Sequence, residues 1–163
     1  MTVSLTDQME TPPFKVEVSD YSVSVDEWRR AQSAPKDGLP ELTEAQREVA
    51  NKFGISEEQY ARSVLAVRFG VQRLRNRATK LGEEVQKILV GVSAESRVSR
   101  VVADLARERW VIVIQTPNRQ VGVVLPRDVG DDFLDFSTSD SVEVLNAKVR
   151  TSLGLGEKGI STR

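Results

Sequence analysis

Between Gln59 and Leu89 the residues Tyr60, Val64, Val67, Val71, Leu74, Ala78, Leu81, Val85 and Ile88 follow one another at alternating spacings of four and three. That period belongs to an α-helix and to no strand, and it persists for about four heptads, long enough for a coiled coil or a bundle helix. Leu65, Phe69 and Leu89 broaden the stripe, so part of the helix is expected to pack on a sheet of the same chain.

The start of this helix is written into the residues before it. Thr43 followed by Gln46 is a capping box, Val49, Ala50 and Phe53 form an inner face, and Gly54 supplies the left-handed residue that ends a helix. Ser56 with Glu57 and Glu58 then opens a second helix at once, with acids where the helix dipole favours them. The expectation is a helix, a tight glycine corner, and a long helix over 57–90.

Strand signals lie on either side. Residues 98–105, 110–116 and 120–125 are rich in β-formers and separated by turn residues, Pro117 and Asn118 among them, which predicts a three-stranded antiparallel meander. Val111 to Ile114 is apolar at every position, so the middle strand is expected to be central and covered on both faces. Nearer the N-terminus, Phe14, Val16 and Val18 alternate with polar residues, and Tyr21, Val23 and Val25 do so again after Ser19-Asp20. This reads as a β-arm that docks at a sheet edge in the same or another chain, with Trp28 as its anchor and the Pro- and Gly-bearing stretch 33–40 as a linker. Pro126 stops the third strand, a short helix follows to Phe136, and a last helix opens near Ser139. The fold class is therefore α+β. The organisation is an arm and linker at 1–41, an α+β domain at 42–155, and a polar tail at 156–163.

Composition excludes much of catalysis. The 163 residues contain no His and no Cys, which removes imidazole bases and ligands, thiolate nucleophiles and disulfides. No Gly-rich phosphate loop or nucleophile elbow is present. Asp128, Asp131, Asp132 and Asp135 are the one cluster with conceivable metal chemistry, but such acids equally suit the start of a surface helix. The expectation is a chain that is not an enzyme and carries no cofactor or metal. No apolar run reaches the roughly 18 residues that span a bilayer, and Met1–Glu10 has no secretory pattern, so a soluble, cytoplasmic protein with no membrane partner is expected.

Charge points to two kinds of partner. The 23 basic and 24 acidic residues nearly cancel, yet 43–90 holds nine bases against six acids while 1–42 holds four against eight and 129–163 four against six. Acidic ends and a basic middle suit head-to-tail contact between copies. Opposite the heptad seam, Arg62, Arg73, Arg77, Lys80 and Lys87 fall within an arc of about 80°, a candidate face for nucleic acid. The glycine corner over 43–62 also has the spacing of a helix-turn-helix, although Glu57 and Glu58 would meet phosphates with like charge. The order helix, three strands, helix resembles double-stranded-RNA-binding domains, but the final helix begins near Asp140 and Glu143 where those domains carry lysines.

Leu42-Thr43, Val49 and Gly54, in the pattern LT-x5-V-x4-G and followed by Ile55-Ser56 and Tyr60, resemble a short helical segment of the head protease and scaffold proteins of tailed phages. The likeness covers about 20 residues, none of that family's catalytic residues has a counterpart, and it implies a role in particle assembly. The expected function is thus a non-catalytic assembly or adaptor protein that binds itself or another protein, in the cytoplasm or in a particle assembled inside the cell. Phe14, Val16, Val18, Trp28, Val64, Val71, Leu74 and Leu81 are the candidate contact residues. The alternative is a nucleic-acid-binding protein that uses the corner and the basic face of the long helix.

Overall fold

A computed structural model describes residues 12–156. Met1–Glu10 and nearly all of the tail expected at 156–163 lie outside them. In chain order the elements are β1 (Lys15–Ser19), α1 (Val25–Gln32), α2 (Glu44–Phe53), α3 (Glu57–Val92), β2 (Arg97–Asp104), β3 (Arg109–Gln115), β4 (Gln120–Pro126), α4 (Arg127–Phe136) and α5 (Ser139–Ser152). The class is α+β, and at 36 residues α3 is about 54 Å long.

The corner forms from the residues that signalled it. Thr43 and Gln46 close a capping box, Gly54 takes φ 68°, and the Ser56 side chain accepts from the Gln59 amide to start α3. Two further caps close in the same way, Ser24 at α1 and Thr138 at α5.

Among the described residues the sheet has four strands in the order β1-β2-β3-β4, not three. The meander β2-β3-β4 is antiparallel, and β1 adds to β2 in parallel, Val16 opposite Val101 and Val18 opposite Ala103. The arm therefore docks on the chain's own sheet, and Phe14 is buried in the core. Only its first half is a strand. Asp20 adopts a left-handed φ of 53° that ends β1, and Ser24 with Glu27 forms a capping box that turns Val25 into the first residue of a helix. A local cap outweighs the alternation of Tyr21, Val23 and Val25 because it satisfies backbone donors that a lone ribbon would leave to water. The stretch after α1 is not a free linker either, since it makes a 3-10 turn at Lys36–Gly38 and buries Leu42.

One face of the sheet carries the core. Val101, Ile112 and Val123 are cross-strand neighbours, as are Ala103, Trp110 and Leu125, and all six pack with Leu74, Leu81, Val85 and Leu89 of α3 and with Phe133, Leu145 and Val149 of α4 and α5. The expected cover on both faces of β3 is not there: among the described residues the row Val102, Val111, Val124 has no helix over it, and Val124 is exposed. Three glycines sit where a neighbour leaves no room for a Cβ. Gly70 faces Tyr21, Gly82 faces Phe14 and Val101, and Gly130 faces the Trp110 ring.

Candidate functional site

The heptad seam divides into two halves. From Leu74 to Val85 it is buried on the chain's own sheet, so Leu74 and Leu81 offer no surface to another chain. Phe14, Val16 and Val18 are likewise taken up by the core or packed against it. From Tyr60 to Val71 the seam runs past the sheet: Tyr60, Val64 and Val71 are only half-buried, and Val67 is 41% exposed. Of the three residues expected to broaden the stripe toward the sheet, Leu89 is in the core, whereas Leu65 and Phe69 lie on the overhang. Over this length α1 is the element that covers α3 most, and it covers one side. What remains is a shallow concavity of about 470 Å³ lined by Leu65, Val67, Phe69 and Val71 with Arg68, Gln72 and Arg75.

Trp28 does not anchor the arm. It stands on α1, 43% exposed, while Tyr21 and Ala31 make the inward contacts. Together with Val23, Val25, Val49, Phe53, Ile55 and Val67 it makes seven of the twelve large exposed apolar side chains among the described residues, all before residue 70. Phe53, 72% exposed, was legible as the inner face of α2 but points to solvent.

The basic face of α3 has a different fate. Arg62 donates to the carbonyls of Ala31, Gln32 and Ala34 at 2.8 to 2.9 Å, capping the C-terminus of α1, and pairs with Glu58. Arg73 pairs with Glu27 at 3.0 Å. Arg77 forks onto Asp135 at 2.7 and 3.3 Å and reaches Asp131 at 2.9 Å. Lys80 donates to the Leu134 carbonyl, and Lys87 pairs with Glu84 one turn earlier. Each of the five cations thus has an intrachain acceptor, with Arg62 and Arg77 the most enclosed and Arg73 and Lys87 still largely in solvent. Of the four acids at 128–135, Asp131 and Asp135 take up the Arg77 charge, and Asp131 also meets Arg127 at 3.4 Å. No group of three or more metal-ligating side chains is gathered among the described residues.

Two cations on the flank of the stripe differ: Arg68 and Arg75 have no ion-pair partner among the described residues and border the apolar concavity.

The Tyr21, Glu27, Arg73 cluster holds α1 to α3. Burial works to raise the Glu27 carboxyl, but hydrogen bonds from Tyr21 and Ser24 and the charge of Arg73 outweigh it and hold the group at about 2. Burial and the Glu27 charge push the Tyr21 hydroxyl up to about 12. A tyrosine and a carboxylate so shifted in opposite senses both hold their usual protonation states across neutral pH, so the hydrogen bond between them and the ion pair to Arg73 persist there.

No helix of the described residues is long and apolar enough to cross a membrane. Comparison with protein-family models, with curated proteins and with solved structures finds no match for this chain.

Proposed function

We propose that this chain is a non-catalytic assembly protein that acts through protein–protein contacts, a subunit of a multi-chain complex or particle. The observation that carries this reading is the overhang of α3, where half of a heptad seam, centred on Val67, leaves the sheet and keeps its apolar side chains partly in water. A helix about 54 Å long cannot be covered along its length by four strands spaced about 4.8 Å apart. Exposed apolar surface that persists next to unpaired arginines is the usual composition of a contact site.

The contact residues differ from those expected from sequence. Val64 and Val71 remain and Val67, Leu65 and Phe69 join them, while Leu74 and Leu81 belong to the core. Against the nucleic-acid alternative, Arg62, Arg73, Arg77 and Lys87 pair with acids of the same chain, while Lys80 donates to the Leu134 carbonyl and has no ion-pair partner among the described residues.

A photo-crosslinking residue placed at Val67 tests the proposal, with the same residue at Val124 on the open sheet face as the comparison. Adducts to a protein chain from position 67, absent or weaker from 124, support it. No protein adduct from position 67, in the purified chain or in extract of cells that make it, contradicts it.

A further inference from the structure

We infer that the partner seated on the α3 overhang is a second copy of this chain, and that it docks there through its α4–α5 corner, so that copies join head to tail. This rests on the assembly reading above and names the occupant.

The receiving stripe is formed by Leu65, Arg68, Phe69, Gln72 and Arg75, which at 100° per residue fall within an arc of about 120° on α3. Arg75 and Arg68 form one edge, Gln72 the middle, and Leu65 with Phe69 the other edge, where the Arg30 guanidinium stacks 4.1 Å over the Phe69 ring; Val71 and Val67 of the same concavity lie beyond the cationic edge. Elsewhere on α3 the arginines are neutralised within the chain, so a surplus of positive charge survives here beside the half-buried Leu65 and Phe69. The complement to such a stripe is a helix with small apolar residues and an acidic edge.

This chain carries one. On α5, Asp140, Glu143, Val144 and Ala147 share the solvent face within an arc of about 100° and are all exposed. Their offsets of three, four and seven repeat those of Leu65, Arg68, Phe69 and Gln72. Val144 is 41% exposed, and Phe136, the last residue of α4 before the corner, is 71% exposed. Asp140 and Glu143 have no ion-pair partner among the described residues; Arg150 is the cation at the far end of the same face. The face that α5 turns to its own core, Leu145 and Val149, is a different one.

Charge decides between the ways two copies can meet. Stripe against stripe opposes Arg68 and Arg75 with themselves, and corner against corner opposes Asp140 and Glu143 with themselves. Antiparallel corners would set a single Arg150 against these two acids, whereas stripe against corner sets two arginines against two acids. A contact between two different surfaces of one chain is heterologous, and it propagates as a ring or a filament instead of closing as a two-fold dimer. Acidic ends and a basic middle are the sequence-level counterpart of this arrangement.

The test uses the full chain and two double variants, Arg68→Glu with Arg75→Glu, and Asp140→Lys with Glu143→Lys, all at exposed positions. Sedimentation velocity is run on each alone and on the two mixed, after circular dichroism and melting show that both are folded. The expected result is self-association of the wild type, a loss of affinity of about tenfold or more in each variant alone, and recovery in the equimolar mixture, because unlike chains then pair opposite charges. Wild-type association in either variant, or no recovery in the mixture, overturns the inference and leaves the assembly reading standing. A wild type that stays monomeric overturns it as well, and the Val67 crosslink then decides the assembly reading by itself.

Discussion

Gly70 of α3 leaves the notch into which the Tyr21 hydroxyl fits, so that a methyl group at position 70 would overlap it. From that notch Tyr21 donates to Glu27, which accepts from Arg73 one turn further along α3. A glycine within a long helix weakens the helix locally by about 1 kcal/mol relative to alanine. Here that cost is offset by the close approach of the segment joining β1 to α1.

Gly70→Ala is expected to destabilise the fold by about 1 to 3 kcal/mol, since Tyr21 must leave its site and the Glu27 latch opens with it. Gly91→Ala, on the same helix but in open space, is expected to stabilise by roughly 0.5 to 1 kcal/mol. Urea unfolding of the two variants beside the wild type checks the contrast. Equal effects at both positions would remove the notch as a packing feature.

The same cluster gives stability a pH dependence with a defined sign. Glu27 is held at about 2 in the fold against an ordinary 4.5, so the unfolded chain protonates first and stability falls as pH drops from about 4.5 toward 2. Tyr21 is raised to about 12 from 10, so the fold keeps its proton longer and stability falls as pH rises from about 10 toward 12. Asp104, lowered by Arg109 and Arg107, and Asp135, lowered by Arg77, add to the acid limb. Melting temperatures across pH for the wild type and Glu27→Gln measure this, and the variant is expected to show a shallower acid limb. An unchanged limb would exclude Glu27 as a source.

Arg62 is expected to matter for α1 and not for nucleic acid. Arg62→Ala frees three carbonyls at the end of α1 and is expected to cost about 1 to 3 kcal/mol, with faster amide exchange across 25–34. Arg62→Lys should recover only part of this, because Nη1 meets the three carbonyls while Nη2 holds Glu58, and one ammonium cannot do both. Exchange in 25–34 unchanged by either substitution would contradict the cap.

Reversal of Arg73, Arg77 and Lys80 to Glu is expected to lower the melting temperature, since it sets carboxylates against Glu27, Asp131 and Asp135. With duplex or single-stranded DNA or RNA at physiological salt, the wild type should show no submicromolar affinity. Tight binding with a steep salt slope, lost in this variant, would restore the nucleic-acid reading.

What could be read in advance follows from how local each signal is. Thr43 with Gln46, Gly54 and Ser56 act within one helical turn, and the corner and the length of α3 came out as their pattern required. The alternation of Phe14, Val16 and Val18 announced a strand but not that it would lie parallel on β2, because register across many residues depends on packing that no window contains. Tyr21, Val23 and Val25 misled because a period-two count ignores the capping pair Ser24 and Glu27 embedded in it. For the candidate site, the seam was visible, but how it is shared between core and solvent was not. The glycines at 70 and 82 pass unnoticed in a helical pattern, although they record where Tyr21 and Phe14 approach. The basic stripe is visible in the sequence as one helix face, but its pairs are not, since Arg77 meets acids more than fifty residues away.

The most direct measurement of self-assembly through the α3 overhang is the mass of the full chain in solution, followed by sedimentation velocity from roughly 1 to 200 µM beside Val67→Glu. The wild type is expected to rise above its 18.1 kDa monomer mass with concentration, and Val67→Glu to remain at that mass with its fold intact. A wild type that stays at the monomer mass across the range, or a Val67→Glu variant that associates equally well, would contradict self-assembly through the α3 overhang.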